Sequence, residues 1–279
     1  MPEKHSTSRK SWDREELLLV MNLYCRIPFG RQHSRAAEVI ELAQALGRSP
    51  GSVAMKLNNF TALDPEEKAR GVRGLQSASN LDRQVWEEFH RDWEKMAEES
   101  EALWQQKIVN QSIAITPVET MVLIPKRYKS RIDKITAPQT EPTGPTQGER
   151  IVQVRFAQVF FRRTVLTAYG VRCCISGNPV PGLLIASHIL PWSQFPEHRI
   201  NPRNGLCLSR LHDAAFDQGL ITFDEHHRLA LSHEIKYYLP NDTLQQNFVI
   251  YEGRKINLPE KFHPQIEFLN YHRENVFKG

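Results

Sequence analysis

The sequence predicts an α+β protein in two parts. An all-helical, helix-turn-helix-like amino-terminal domain is followed by a mixed domain built on a strand–strand–helix element. Three observations carry this reading. Residues 12 to 104 place apolar side chains at helical spacing. A Thr/Pro/Gly-rich stretch ending at Glu149 reads as a linker. Between Ile185 and Gly219, the short apolar runs LLIASHI and NGLCLS precede a helical stretch, SRLHDAAFD, that stops at a glycine.

Taken in order, WDREELLLVMNLY opens with an acidic first turn and has apolar Leu17, Leu18, Val20, Met21 and Tyr24, which suits an amphipathic helix. SRAAEVIELAQALG predicts a helix ending at Gly47, then a turn with Ser49-Pro50 and a second helix through Leu57. A third, acidic region, NLDRQVWEEFHRDWEKMAEESEALW, spaces Trp86, Phe89 and Trp93 for one buried face, so both tryptophans read as core. VETMVLIP reads as a short strand inside the 105–149 connection. RIVQVRFAQVFFRRTVLTAYG predicts a helix ending at Gly170. After the strand–strand–helix element, LITFDEHHRLALS predicts a hairpin turning at Asp224 to His227, and a terminal helix follows Pro264. The expected limits are 1–104, 105–149 and 150–279.

Composition excludes several classes. No run approaches the roughly 20 apolar residues of a membrane helix, and MPEKHSTSRKSW lacks a signal-peptide core. Four cysteines, two of them adjacent (Cys173, Cys174), make a poor disulfide framework, so a reducing cytoplasm is expected. The net charge of +4 permits nucleic-acid binding without arguing for it. Its distribution says more, because Arg150, Arg155, Arg162, Arg163 and Arg172 cluster ahead of the ββα stretch and KRYKSR lies at 126–131.

Within Ile185–Gly219 the chemistry-bearing residues are His188 at a strand end, Asn204 opening the next strand, and His212 in the helix. Together with Pro191-Trp192 this ordered set resembles the HNH endonuclease family, in its branch with (A/S)HI-P-W, NGL and LH-x-x-FD-x-G. The helical part is similar to that of a bacterial, restriction-type HNH group, through IPFG at Ile27 to Gly30, the LGRS-x-x-SV-x-x-KL-x-NF pattern at Leu46 to Phe60, and GL-x-x-AS at Gly74 to Ser79.

The resemblance implies a ββα-metal HNH nuclease domain at 150–279 and phosphodiester hydrolysis of double-stranded DNA in restriction or defence. The alternatives are a DNA-binding regulator with a decayed nuclease core, and a nuclease directed at RNA. Hydrolysis needs a base for water and a metal to offset charge on the phosphate. His188 is the expected base, since a neutral imidazole accepts a proton near neutral pH. The resemblance gives Asn204 the part of holding the hairpin in register and, in some relatives, of meeting the metal. His212 is the expected metal ligand. Relatives often carry Asp or His directly before the base, whereas this chain has Ser187. Asp217 is either a weak ligand or a tie on the turn at Gly219; its divergence of roughly 140° from His212 on an ideal helix favours the tie. Magnesium is the expected ion, with manganese as the alternative.

A structural zinc is not expected. Cys174-x-x-Gly177 and Cys207-x-x-Arg210 offer one cysteine where a knuckle needs two, and the thiols read as core. The helical domain is expected to target the nuclease, with Arg48 and Lys56 on phosphates and Asn58 or Asn59 near base edges, alongside Arg155, Arg162 and Arg163. Cutting both strands with one site per chain would favour a homodimer or two sequential nicks.

Overall fold

Helix α1 (Arg14–Arg26) is started by a capping box. The Asp13 carboxylate accepts from the Glu16 amide at 2.9 Å, and the Glu16 carboxylate accepts from the Asp13 amide at 3.2 Å. The expected amphipathic helix is instead buried on every side from Glu16 to Arg26. Its charged ends survive burial because they are paired, Arg48 reaching Glu16 at 3.1 Å and Arg26 reaching Glu101. The computed structural model describes residues 11–72, 74–75, 77–109 and 145–279, the side chains of 109 and 145–155 excepted.

Around α1 pack α2 (Ala37–Leu46), α3 (Pro50–Leu63), α5 (Asn80–Arg91), α6 (Trp93–Trp104) and α7 (Pro145–Ala168), with the short α4 (Pro65–Ala69) following α3. The turn between α2 and α3 is the expected one. Gly47 takes the left-handed conformation (φ 62°), and the Ser49 hydroxyl caps the Ser52 amide at 3.2 Å. The third acidic region is two helices rather than one, broken at Asp92, whose carboxylate caps Lys95. Trp93 is buried, and Trp86 packs against Tyr24 and Phe60.

Helix α7 joins the two parts. On one side Phe160 meets Phe89 and Trp93; on the other, α7 covers the hairpin formed by β1 (Leu184–His188) and β2 (Gly205–Ser209). A second tie comes from the end of the chain, where the buried Lys261 ammonium donates to the carbonyls of Ile27, at 3.0 Å, and Tyr24. The helical and mixed parts therefore share one core. Of the expected 105–149 connection, 105–109 continues as helix and α7 begins at Pro145. The remainder, with the VETMVLIP strand and the KRYKSR cluster, lies outside the described residues.

Strands β1 and β2 pair antiparallel, from Leu184↔Ser209 to His188↔Gly205. Ser209 then caps α8 (Arg210–Asp217), which packs on the hairpin face opposite α7. A second hairpin, β3 (Ile221–Phe223) with β4 (Leu229–Leu231), turns where expected, with the Asp224 carboxylate accepting from the amides of His226 and Arg228. Short helices α9 (His233–Tyr237) and α10 (Asp242–Asn247) follow, and α11 (Ile266–Asn275) closes the chain. Among the described residues no helix is long and apolar enough to cross a membrane.

Candidate active site

His188 ends β1, and three contacts fix its ring. Phe161 of α7 stacks on it, with centroids 4.1 Å apart and planes 7° from parallel. Trp192 meets it edge-on at 5.1 Å, and Nε2 lies 2.8 Å from the Arg199 carbonyl. A carbonyl oxygen only accepts, so Nε2 carries the hydrogen and Nδ1 is left as the basic nitrogen. Burial holds the His188 pKa below the ordinary histidine value, outweighing the opposing carbonyl bond. The ring is therefore neutral at neutral pH, in the form a general base requires. Gly205, opposite His188 in the hairpin, makes the stack feasible, because a Cβ there would collide with Val165 and press on Phe161.

Asn204 is 1% exposed, and both ends of its side-chain amide make hydrogen bonds. Its Oδ1 accepts from the Leu190 amide at 2.8 Å, its Nδ2 donates to the His198 carbonyl at 3.0 Å, and its own carbonyl accepts from Ile189. It clamps both ends of the loop that carries Trp192 and Arg199. This is the loop-holding arrangement expected of Asn204, and its amide oxygen accepts one hydrogen bond inside the fold.

His212 departs from expectation. It points into the core with both ring nitrogens engaged. Nδ1 lies 3.0 Å from Ser209 Oγ and 3.4 Å from Cys173 Sγ, and Nε2 donates to the Asn247 carbonyl at 2.8 Å. Burial lowers its pKa, but the Cys173 and Asn247 contacts outweigh that and raise it. Burial likewise pushes the Cys173 thiol up, and hydrogen bonds from His212 and Ser176 overcome it, bringing the thiol down to about 6. The pair ties the turn after α7 to the start of α8. A ring so committed has no nitrogen left for a metal.

Asp213 follows His212 in the first turn and is partly buried, the exposed residues of that turn being Arg210 and Leu211. The Ser187 hydroxyl, 3% exposed and without a well-formed hydrogen bond, faces this carboxylate and pulls its pKa down, while burial pushes it up and wins. Asp217 lies one turn on, at i+4, about 40° around the helix from Asp213. Burial, then repulsion from Asp213, lifts Asp217 to about 6. Two carboxylates that resist ionisation, with an unsatisfied buried hydroxyl beside the first, are a donor set suited to a hard divalent cation completed by water and phosphate. Among the described residues no group of three or more His, Cys, Asp or Glu side chains gathers to hold a metal.

Most of the expected nucleic-acid contacts are turned inward. Lys56 pairs with buried Asp82 at 2.8 Å, and Arg48 holds Glu16 while lying over the Trp12 ring at 4.0 Å. Asn58 donates to the carbonyls of Gln32 and Ala54, and Asn59 to Asp82. Burial pushes Arg163 down to about 10, beside Arg26 and Glu101. Arg162, half-buried, donates to the Leu184 carbonyl at 2.9 Å. The side chain of Arg155 lies outside the described residues. Sequence reasoning passed over Phe161 and Arg199, and no local motif marks either.

Residues 173–224 match the family model described as HNH endonuclease. The match spans both strands of the hairpin and α8, and leaves out α7 with Phe161. The comparison with curated proteins returned no match.

Proposed function

We propose, on the match of residues 173–224 to the HNH endonuclease model, that the protein is a metal-dependent endonuclease of double-stranded DNA acting in restriction or defence. The observation that carries this reading is His188, held neutral with Nε2 bound to the Arg199 carbonyl and Nδ1 without a partner among the described residues. In the proposed reaction Nδ1 takes a proton from water as its oxygen bonds to phosphorus and the leaving oxygen departs. Phe161 and Trp192 fix the ring plane, and Asn204 fixes the loop whose carbonyl holds Nε2. Asp213 and Asp217 would hold magnesium or manganese, with the Ser187 hydroxyl orienting a water between them and β1. When bound, the cation would offset charge on the phosphate and the leaving oxygen.

The defence role rests on the resemblance of the helical part to restriction-type HNH proteins. With Arg48 and Lys56 turned inward, targeting would have to use other surfaces of that part. One site per chain makes nicking the elementary event, and a homodimer would be one route to double-strand breaks.

The test is incubation of supercoiled plasmid with Mg²⁺ or Mn²⁺, using plain, methylated and hydroxymethylated DNA and a His188→Ala control. Cutting by the wild type that His188→Ala loses supports the reading. Equal, negligible cutting by both proteins on every substrate would favour a DNA-binding protein with a decayed core, the alternative motivated by the sparse ligand set. Cutting of single-stranded RNA alone would move the substrate class.

A further inference from the structure

Arg199 and Arg210, beside the hairpin, each spend only Nε inside the fold, and of the two Arg199 is the half-buried one. Arg162 spends a donor on the Leu184 carbonyl, and Arg203 is paired with Glu66. Arg199 uses only Nε internally, donating to the Trp192 carbonyl at 2.7 Å, while its guanidinium lies 5.1 Å from the centre of the Trp192 ring. Among the described residues it forms no ion pair, and neither terminal nitrogen makes a hydrogen bond. The side chain is half-buried and anchored at its neck, one aromatic ring away from His188. Its own backbone carbonyl is the acceptor that sets the His188 tautomer.

An anchored, half-buried guanidinium with its fork unused gains most from an anionic partner. The fork matches two oxygens of a phosphate at once, while a mobile surface lysine offers only a point charge. The anchoring also removes side-chain entropy before any ligand arrives, which lowers the cost of binding. Acidic partners are few here, because the nearest segment of the loop is PWSQFPEHR and its single acid, Glu197, lies toward His198. We propose that Arg199 binds a non-bridging phosphate oxygen of the strand being cut and so registers the phosphodiester on His188. This rests on the endonuclease reading, and names within that site the side chain that takes the phosphate.

The experiment uses the full chain in two forms. Cleavage is measured on plasmid for the wild type, Arg199→Ala and Arg199→Lys, and duplex binding is measured against salt in a His188→Ala background. A lost phosphate contact lowers the slope of log affinity against log salt by about 1, which loosening of the loop would not do. Arg199→Ala is expected to lower the slope by that amount and to cut at least about tenfold more slowly. Arg199→Lys is expected to restore the slope and only part of the rate, since it keeps the charge and loses the fork. An unchanged slope in Arg199→Ala overturns the proposal, whether or not cutting is slowed, because the side chain would then be only a staple on Trp192. Should Arg199→Ala fold poorly, Arg199→Lys decides: full wild-type cutting would show that the fork is not used. Absence of cutting by the wild type itself would instead defeat the endonuclease reading.

Discussion

The ring of His188 lies flat on that of Phe161, 4.1 Å away and within 7° of parallel, although Phe161 stands outside the segment that matches the HNH family. The helix that bridges the two parts of the chain therefore supplies the back wall of the proposed base. Phe161→Leu keeps an apolar side chain but removes the flat face, freeing the ring to tilt. We expect kcat to fall about tenfold with KM nearly unchanged, since the loss is one of orientation and not of substrate binding. Steady-state cleavage kinetics check this; equal kcat would mean that Trp192 and the Arg199 carbonyl suffice to hold the ring.

Asp213 and Asp217 predict the pH dependence. Both carboxyl pKa values are raised, Asp217 to about 6, so Asp217 is increasingly protonated as pH falls through that value. His188 is shifted the other way, burial lowering its pKa. A divalent cation competes with protons for the carboxylates. Affinity for Mn²⁺ should therefore be nearly flat above about pH 7 and drop steeply below about pH 6. Asp217→Asn should weaken binding and flatten that dependence. Calorimetric titrations at pH 5.5 and 7.5 test it, and equal wild-type affinities at both values would remove this pair from the metal site.

His212 is expected to behave as a structural residue. His212→Ala removes a ring that bridges Cys173, Ser209 and the Asn247 carbonyl, and leaves those groups unsatisfied in the core. The expected cost is about 2–4 kcal/mol of stability. His212→Gln should recover part of it, and its folded fraction should bind Mn²⁺ as the wild type does. A normal melting transition in His212→Ala combined with lost metal affinity would restore the ligand role.

The ordered His188, Asn204 and His212 made the ββα element legible in the sequence, because strand pairing and a helix cap are local and sit within a few dozen residues. The register of α8 was harder to read. Two acids at i and i+4 were in view at Asp213 and Asp217, but a histidine next to them drew the metal assignment. Only the packing of His212 against Phe248 and Tyr251, far along the chain, turns that residue inward. The side chains of the helical part were hard to read for a similar reason. A lysine and an arginine on a helix-turn-helix outline look solvent-facing until their partners, Asp82 and Glu16, are known. Long-range pairing of this kind has no local signature.

Lys56 offers a direct test of that correction. Its ammonium and the Asp82 carboxylate are both buried, with Asn59 donating to the same acid. Lys56→Met leaves Asp82 charged without its partner, and breaking such a pair costs about 3–5 kcal/mol. The Lys56→Met, Asp82→Leu double variant should recover much of the loss. At a temperature where all variants are folded, duplex affinity and its salt slope should match the wild type. A slope reduced by about 1 in Lys56→Met would return this lysine to the DNA interface.

His272 sets a separate, stability-linked prediction. Its ring lies on Phe216 at 3.7 Å, with Nδ1 2.9 Å from Thr222 Oγ1 and Nε2 donating to the Phe216 carbonyl at 3.1 Å. Burial, only partly opposed by the Phe216 carbonyl, brings its pKa down to about 4. The unfolded chain binds the proton near pH 6.5 and the folded chain only near 4, so the unfolded state carries more protons between those values. The contribution of His272 is fully present above about pH 6.5 and is lost as pH falls toward about 4, a change on the order of 3 kcal/mol. Other buried groups titrate in the same window, so the difference between wild type and His272→Gln isolates this one. The glutamine amide can still donate to Phe216 but does not titrate. Urea melts should show the variant less stable at pH 7.5, with the gap closing or reversing by pH 4.5. A gap that stays constant across that range would mean that folding does not shift the His272 pKa.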